Sequence, residues 1–328
     1  MMDIPWVEKY RPLNLEDLVS HNNIKKVLLK FINSNNLPHL LLYGPPGTGK
    51  TSTILSIARK MYKNNYKNMI LELNASDDRN IRVVRETIRE FASTKGDNLL
   101  KNDTNKSDIK LVILDEADSM TQDAQFCLRR IIETYSDKTR FCMICNYINK
   151  IIPALQSRCC RLRFSPLSID DVTSHLKSIC QEENIEAEPE ALKFMYKISY
   201  GDLRKAINIL QGTFFNYGSP VSLSNVQNNS GYPRNSDIHK IISILFNYNI
   251  KEAHERFKKI KEKTGLSIID VLSEIGNFVR YIDLEQNSLA YLYKELSDIE
   301  YNYSITTNDE LCILSIISVF KNVIENIQ

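Results

Sequence analysis

Gly44-Pro45-Pro46-Gly47-Thr48-Gly49-Lys50-Thr51 constrains this chain more than any other stretch, because it fills every fixed position of the pattern G-x-x-x-x-G-K-[ST]. Before it, Leu40-Leu41-Leu42-Tyr43 reads as a buried strand; after it, residues 52–59 read as a helix. In that setting the glycines let backbone N–H groups turn toward phosphate, and the helix N-terminus adds its positive end. Gly44, Pro45, Pro46, Gly47, Thr48, Gly49 and Ser52 then cradle the phosphates. Lys50 reaches the terminal ones, and the Thr51 hydroxyl ligates Mg²⁺. A Gly/Pro-rich turn before an ordinary helix is the competing reading, and the strand–loop–helix context disfavours it. The implied ligand is a nucleoside triphosphate, ATP or its product ADP.

The first half alternates. Residues 69–74, 111–115 and 141–146 read as strands, and 81–95 and 121–135 as helices. Strands alternating with helices predict a parallel sheet covered on both faces. The Asn/Lys/Asp/Ser-rich stretch 96–110 is a surface excursion, and a break falls at 164–168. From there to residue 211 the pattern is helical only. Residues 225–235, rich in Asn and Ser with Gly and Pro, read as a linker. Beyond lie helix-period runs: Ile238/Ile241/Ile242/Leu245, Val271/Leu272/Ile275/Phe278/Val279/Ile282 and Leu314/Ile317/Phe320/Val323/Ile324. This tail gathers no catalytic residue types and reads as an all-helical packing module. At 328 residues, 43% of them hydrophobic, the chain has material for two or three domains with proper cores.

A net charge of +2 does not mark a nucleic-acid binder, so such contact must come from local patches. The seven cysteines follow no disulfide or zinc spacing. Cys142 and Cys145 fall inside a strand-like run, which predicts reduced core or half-buried thiols in a reducing compartment. Residues 1–6 lack a signal-peptide pattern and no apolar run approaches a membrane span, so a soluble intracellular protein is expected.

Four apolar strand residues lead into Asp115-Glu116-Ala117-Asp118. An acid at the end of a buried strand, downstream of a phosphate loop, suits Mg²⁺, and Asp115 takes that role. Glu116 is placed to polarise the attacking water as a general base. Asn146 ends the next strand; its amide either holds the water or γ-phosphate, or is simply a strand-end asparagine. Arg158, in Ser157-Arg158-Cys159, and Arg204, in Gly201-Asp202-Leu203-Arg204, each offer a guanidinium to phosphate or to solvent. On the helix from Ile81, at about 100° per residue, Ile81, Val84, Ile88 and Phe91 share one stripe. Arg82, Arg85 and Arg89 share another, with Arg79 just ahead. The arginines either track a nucleic-acid backbone or form a solvated face paired with Glu86 and Glu90.

Together the phosphate loop, Asp-Glu-Ala-Asp, Asn146, Ser157-Arg158-Cys159 and Gly201-Asp202-Leu203-Arg204 resemble an AAA+ ATPase of the clamp-loader type. With Pro5-Trp6-Val7-Glu8-Lys9-Tyr10-Arg11-Pro12, Leu73-Asn74-Ala75-Ser76-Asp77-Asp78-Arg79, Arg140-Phe141-Cys142-Met143-Ile144-Cys145-Asn146-Tyr147 and the runs 151–159 and 204–211, the chain resembles small subunits of eukaryotic replication factor C nearly throughout. The resemblance implies an AAA+ core (1–164), a helical lid (165–228) and a helical collar (229–328) that joins five related subunits in a ring. It implies ATP-driven loading of a sliding clamp onto primer-template DNA in the nucleus. Val7, Tyr10 and Arg11 would border the adenine, Asn146 and Arg204 would be the two sensors, and Arg158 the arginine finger acting in trans on a neighbour's ATP. Arg79, Arg82, Arg85 and Arg89 would follow the template backbone, with Ile88 and Phe91 either touching the clamp or packing in the core.

Asn80 and Cys160 depart from residues common in relatives, Gly and Thr. Phe126 lies opposite the expected buried face Ala124/Cys127/Leu128/Ile131, where relatives carry small or polar residues. Two rivals stand: another DNA-directed AAA+ motor, which needs insertions this chain lacks, and a nucleotide-binding scaffold that does not hydrolyse, against which the intact Lys50, Thr51, Asp115 and Glu116 argue.

Overall fold

The computed structural model describes residues 4–34, 36–75, 81–93, 109–282 and 284–327, with the side chains at 64, 81–85 and 326–327 outside that description. Two short helices, α1 (Trp6–Lys9) and α2 (Asn22–Asn33), precede β1 (Leu40–Tyr43). Leu40, Leu41 and Leu42 have no exposed surface, as a strand covered on both faces requires. The chain continues through α3 (Lys50–Tyr62), α4 (Tyr66–Met69), β2 (Ile70–Asn74), α5 (Ile81–Ser93) and β3 (Lys110–Asp115). Then come α6 (Gln122–Tyr135), β4 (Thr139–Cys145), α7 (Pro153–Gln156) and β5 (Cys160–Arg163). The five strands are parallel in the order β2-β3-β4-β1-β5.

Side chains alternate across this sheet with period two. Leu40, Leu42, Ile113, Cys142 and Ile144 pack with Leu28 of α2 and Ile54, Ile57 and Ala58 of α3. Leu41, Val112, Leu114, Phe141 and Met143 pack on the other face with Ile88 of α5 and Leu128, Ile131 and Ile132 of α6. Ile88 is therefore packed in the core, 1% exposed. Phe91 is partly buried against the same cluster. Cys142 and Cys145 are buried on β4, and burial pushes the Cys145 thiol up to about 12. Phe126 is 49% exposed, opposite the packed face of α6, as its position in the sequence implies. Cys127 is only half-buried, and Gln125 takes the buried place beside it.

Helices α8 (Ile169–Glu182), α9 (Pro189–Ser199) and α10 (Leu203–Tyr217) follow, with a break at 164–168 as expected. Ser168 caps α8 by accepting from the Asp171 N–H. The chain divides into two compact units, the first running to Phe215 and the second from Asn216. The second holds α11 (Leu223–Ser230), α12 (Asn235–Asn247), α13 (Ile250–Thr264), α14 (Ile268–Val279), α15 (Gln286–Thr306) and α16 (Asp309–Ile327). The stretch expected as a linker is thus mostly α11. Its Asn-rich composition is overridden by the Ser222 cap, which accepts from the Asn225 N–H, and by Val226, which is fully buried. On α16 the expected Leu314 is 43% exposed, and Ile313 and Ile316 join Ile317, Phe320 and Val323 in the core. The apolar runs expected from the sequence leave out α13 and α15, although their buried residues also recur at helical spacing: Ala253 and Phe257 on one, Leu292, Leu296 and Ile299 on the other. Among the described residues, no helix is long and apolar enough to cross a membrane.

Phe320 has no exposed surface and meets the Phe246 ring edge-on at 5.4 Å between centroids. Phe320→Ala should cost the second unit about 3–5 kcal/mol, read as a lower urea midpoint in far-ultraviolet circular dichroism. A loss below about 1 kcal/mol would contradict this packing.

Candidate nucleotide site

The loop between β1 and α3 lines a cavity of about 230 Å³. Its shape depends on close backbone approaches. A Cβ on Gly47 would lie 1.7 Å from the Asp202 Oδ1, so the loop before α10 rests directly on it. Gly49 has φ +88 and nothing within 4 Å of a Cβ, which leaves the mouth of the helix open. Thr48 Oγ1 donates to the Pro45 carbonyl at 2.9 Å and stiffens the turn.

Lys50 is 7% exposed. Its ammonium donates to the carbonyls of Gly44 and Pro45, each at 2.7 Å, and to Asn146 Oδ1 at 3.0 Å. Burial lowers its pKa, while the Asp115 carboxylate acts the other way. Thr51 Oγ1 donates to Asp115 Oδ2 at 2.8 Å, and the other Asp115 oxygen accepts the Glu116 N–H at 2.9 Å. Glu116 has a left-handed backbone, φ 52, and its residue lines the cavity. One hydroxyl and one carboxylate, hard oxygens in contact, fit a magnesium ion that takes its remaining ligands from phosphate and water. Among the described residues no group of three or more His, Cys, Asp or Glu forms a dedicated metal cage.

The same cavity gathers most of the sequence-predicted set: Val7, Tyr10, Arg11, Pro46, Gly47, Thr48, Gly49, Lys50, Thr51, Ser52, Asp115, Glu116, Asn146 and Arg204. Gly44 and Pro45 bound it through the carbonyls that hold Lys50. Arg158 is not among the lining residues. Its guanidinium bonds to the Ala154 carbonyl at 2.7 Å and pairs with Glu133 of α6 at 2.5 Å, away from its own chain's loop. The arginine row divides: Arg79 lies outside the described residues, and so do the side chains of Arg82 and Arg85. Arg89 is exposed on α5.

Two positioning residues escaped the motif reading. Asp118 Oδ2 accepts the N–H groups of Asn146 at 3.2 Å and Tyr147 at 3.1 Å, so the last acid of Asp-Glu-Ala-Asp fixes the neighbouring strand end. Gln125, 1% exposed, donates to the carbonyls of Met120 and Lys150 and accepts the Ile152 N–H at 2.8 Å. It ties α6 to the chain entering α7. A polar residue between Ala124 and Leu128 on a buried face was the available signal.

Comparison with known proteins agrees with this geometry. The profile of the ATPase family associated with various cellular activities (AAA) matches residues 40–167. An RCF1/5-like AAA+ ATPase lid domain matches 174–214, and the replication factor C C-terminal domain matches 233–319. The chain is 46% identical over 320 residues to replication factor C subunit 5 of Homo sapiens, covering 97% of this chain and 92% of that protein. It is 44% identical over 318 residues to replication factor C subunit 3 of Schizosaccharomyces pombe, covering 97% and 91%. Among solved structures, the Thermotoga maritima RuvB Holliday junction branch migration motor aligns with TM-score 0.53 at 16% identity, over 79% of this chain and 86% of that one, a likeness of fold.

Gly47→Ala places a methyl group against Asp202 at a left-handed backbone position. It should destabilise the first unit by about 1–3 kcal/mol in denaturant unfolding, and Asp202→Ala in the same chain should return part of that loss. Equal stability of Gly47→Ala and parent would refute the close approach.

Proposed function

Since this chain belongs to the replication factor C family, beside relatives named subunit 5 and subunit 3, we propose that it binds and hydrolyses ATP as one subunit of a five-membered clamp loader. In this reading the complex opens a sliding clamp and sets it on primer-template DNA in the nucleus. The AAA+ ATPase fold belongs to the family; the dependence of turnover on clamp and DNA is part of the proposal. One observation carries it: the loop lysine, the Thr51–Asp115 pair, Glu116 and Asn146 converge on a single cavity.

Thr51 and Asp115 would hold Mg²⁺, which when bound supplies positive charge against the phosphate oxygens. Lys50 exchanges its loop carbonyls for the terminal phosphates, a move that returns its full charge to use. Glu116 accepts the proton of the attacking water. Asn146 and Arg204 sense the γ-phosphate, Val7, Tyr10 and Arg11 border the base, and Gly44 through Ser52 cradle the phosphates. Arg158, turned away from its own cavity, serves the ATP of the next subunit. The proposed division is an ATPase core at 1–164, a lid at 165–228 and a collar at 229–328 that joins the other subunits. Arg79, Arg82, Arg85 and Arg89 would follow the DNA backbone.

Glu116→Gln should abolish most of this subunit's turnover in the assembled complex while ATP binding persists, which separates a working ATPase from a nucleotide-holding scaffold. Arg158→Ala should slow turnover at the adjacent site by about 10³–10⁵-fold, with a smaller loss summed over the ring. Unchanged phosphate release by both variants would sink the hydrolytic role.

Neutralising Arg82, Arg85 and Arg89 together should flatten the slope of log K against log salt by up to about 0.9 for each duplex phosphate that the arginines neutralise. DNA affinity of the assembled complex, measured at several salt concentrations, reads this directly. Identical slopes for parent and triple variant would move the DNA path elsewhere.

A further inference from the structure

The segment from Val7 to Pro12 supplies one wall of the cavity, through Val7, Glu8, Tyr10, Arg11 and Pro12. It is anchored on α8 and α10, helices that the lid profile covers in large part. Trp6, 5% exposed, donates its backbone N–H to Gln211 Oε1 at 3.1 Å. Its ring stacks on Phe214 of α10 with centroids 5.8 Å apart and 28° between planes. One residue beyond α8, Glu183 Oε1 accepts both the Tyr10 hydroxyl and the Lys9 ammonium, each at 2.6 Å. The Lys9 ammonium also lies 5.2 Å from the Tyr10 ring centroid.

We propose that Glu183 is a positioning residue for the base end of the nucleotide site. Its carboxylate holds Tyr10, and with it the wall from residue 7 to residue 12, at the end of α8, while Gln211 and Phe214 hold Trp6 on α10, the helix that carries Arg204. The proposal rests on reading this cavity as an ATP site. Its consequence is mechanical: the base wall and the Arg204-bearing helix form one piece, so base contact is felt directly by the lid. Lys9 alone would not give this effect. Its side chain is 47% exposed, and an ion pair of that kind contributes little. The bond that matters is the one from Tyr10, made to an ionised acceptor: the Lys9 and Tyr10 hydrogen bonds hold the Glu183 carboxyl below its usual range, while burial and then the carboxylate raise the phenol.

The test uses the full chain and two probes, Mg-ATP and tripolyphosphate, titrated calorimetrically. Glu183→Ala and Tyr10→Phe should each weaken ATP by about 5–10-fold, and the double variant should bind no worse than Glu183→Ala. Glu183→Gln, which keeps an acceptor oxygen but not its charge, should recover ATP affinity only in part, to a value between Glu183→Ala and parent. Tripolyphosphate, which has no base, should bind every one of these variants within about twofold of parent. Parent-like ATP affinity in both Glu183→Ala and Tyr10→Phe would overturn the proposal, and so would an equal loss of tripolyphosphate, which signals a generally loosened fold. Lys50→Ala serves as the control and should lose both ligands. If it binds both as parent does, the cavity is not the ATP site, and the failure lies in that reading rather than in Glu183 alone.

Discussion

A buried ammonium is the constraint on which this site depends. Lys50 cannot stay charged inside a protein without acceptors, and it takes three: two carbonyls of the turn that precedes it and the side-chain oxygen of Asn146. That demand fixes the curl of the loop against β4 and brings the end of one strand to the start of a helix made much earlier in the chain. Asp118 then fixes Asn146 from β3's side through two backbone N–H groups. The acceptors that satisfy Lys50 are weaker than a phosphate. Anion binding therefore exchanges one satisfied state for a better one, with no uncompensated charge on the way.

Around that centre the first unit is built from two kinds of contact. The sheet supplies rigidity: β1, β3 and β4 bury nearly every side chain on both faces and end together at the cavity. The helices after residue 164 supply closure by approach rather than by pairing. Asp202 sits against Gly47, Leu203 N–H reaches the Gly47 carbonyl at 3.4 Å, and Arg204 joins the lining. The N-terminal segment closes the remaining side while being held by Gln211, Phe214 and Glu183. A nucleotide in this cavity would thus meet the phosphate loop and strand ends on one side, and on the other the start of α10 and the N-terminal segment.

The parts of this arrangement that sequence makes legible share a property: they repeat, or they are chemically unusual. A glycine-rich loop between a leucine run and a helix start is rare enough to announce phosphate, and Asp115-Glu116 after four apolar residues announces a strand-end acid. Helices with a strong apolar stripe, such as α12 and α14, show themselves by period alone. Helices α13 and α15 carry such a period too, at Ala253/Phe257 and Leu292/Leu296/Ile299, but spread more thinly among polar residues. The Asn-rich α11 reads as a linker because its helix rests on one cap and one buried valine, both set by neighbours.

Local pattern settles the inventory: a phosphate loop, a pair of strand-end acids, a parallel α/β core and a helical tail, each legible because backbone geometry and period are local properties. Partnership is settled only once the chain is folded. That Ile88 belongs to the core, that Gln125 bridges three backbone groups, that Asp118 holds Asn146 and that Glu183 holds Tyr10 are facts about residues far apart in sequence. A hydrogen bond between residues 173 positions apart leaves no trace in the local pattern at either end. The partner is chosen by where the folded sheet and helices carry the side chains, and a polar group entering a closed space must then take whatever partner that packing provides.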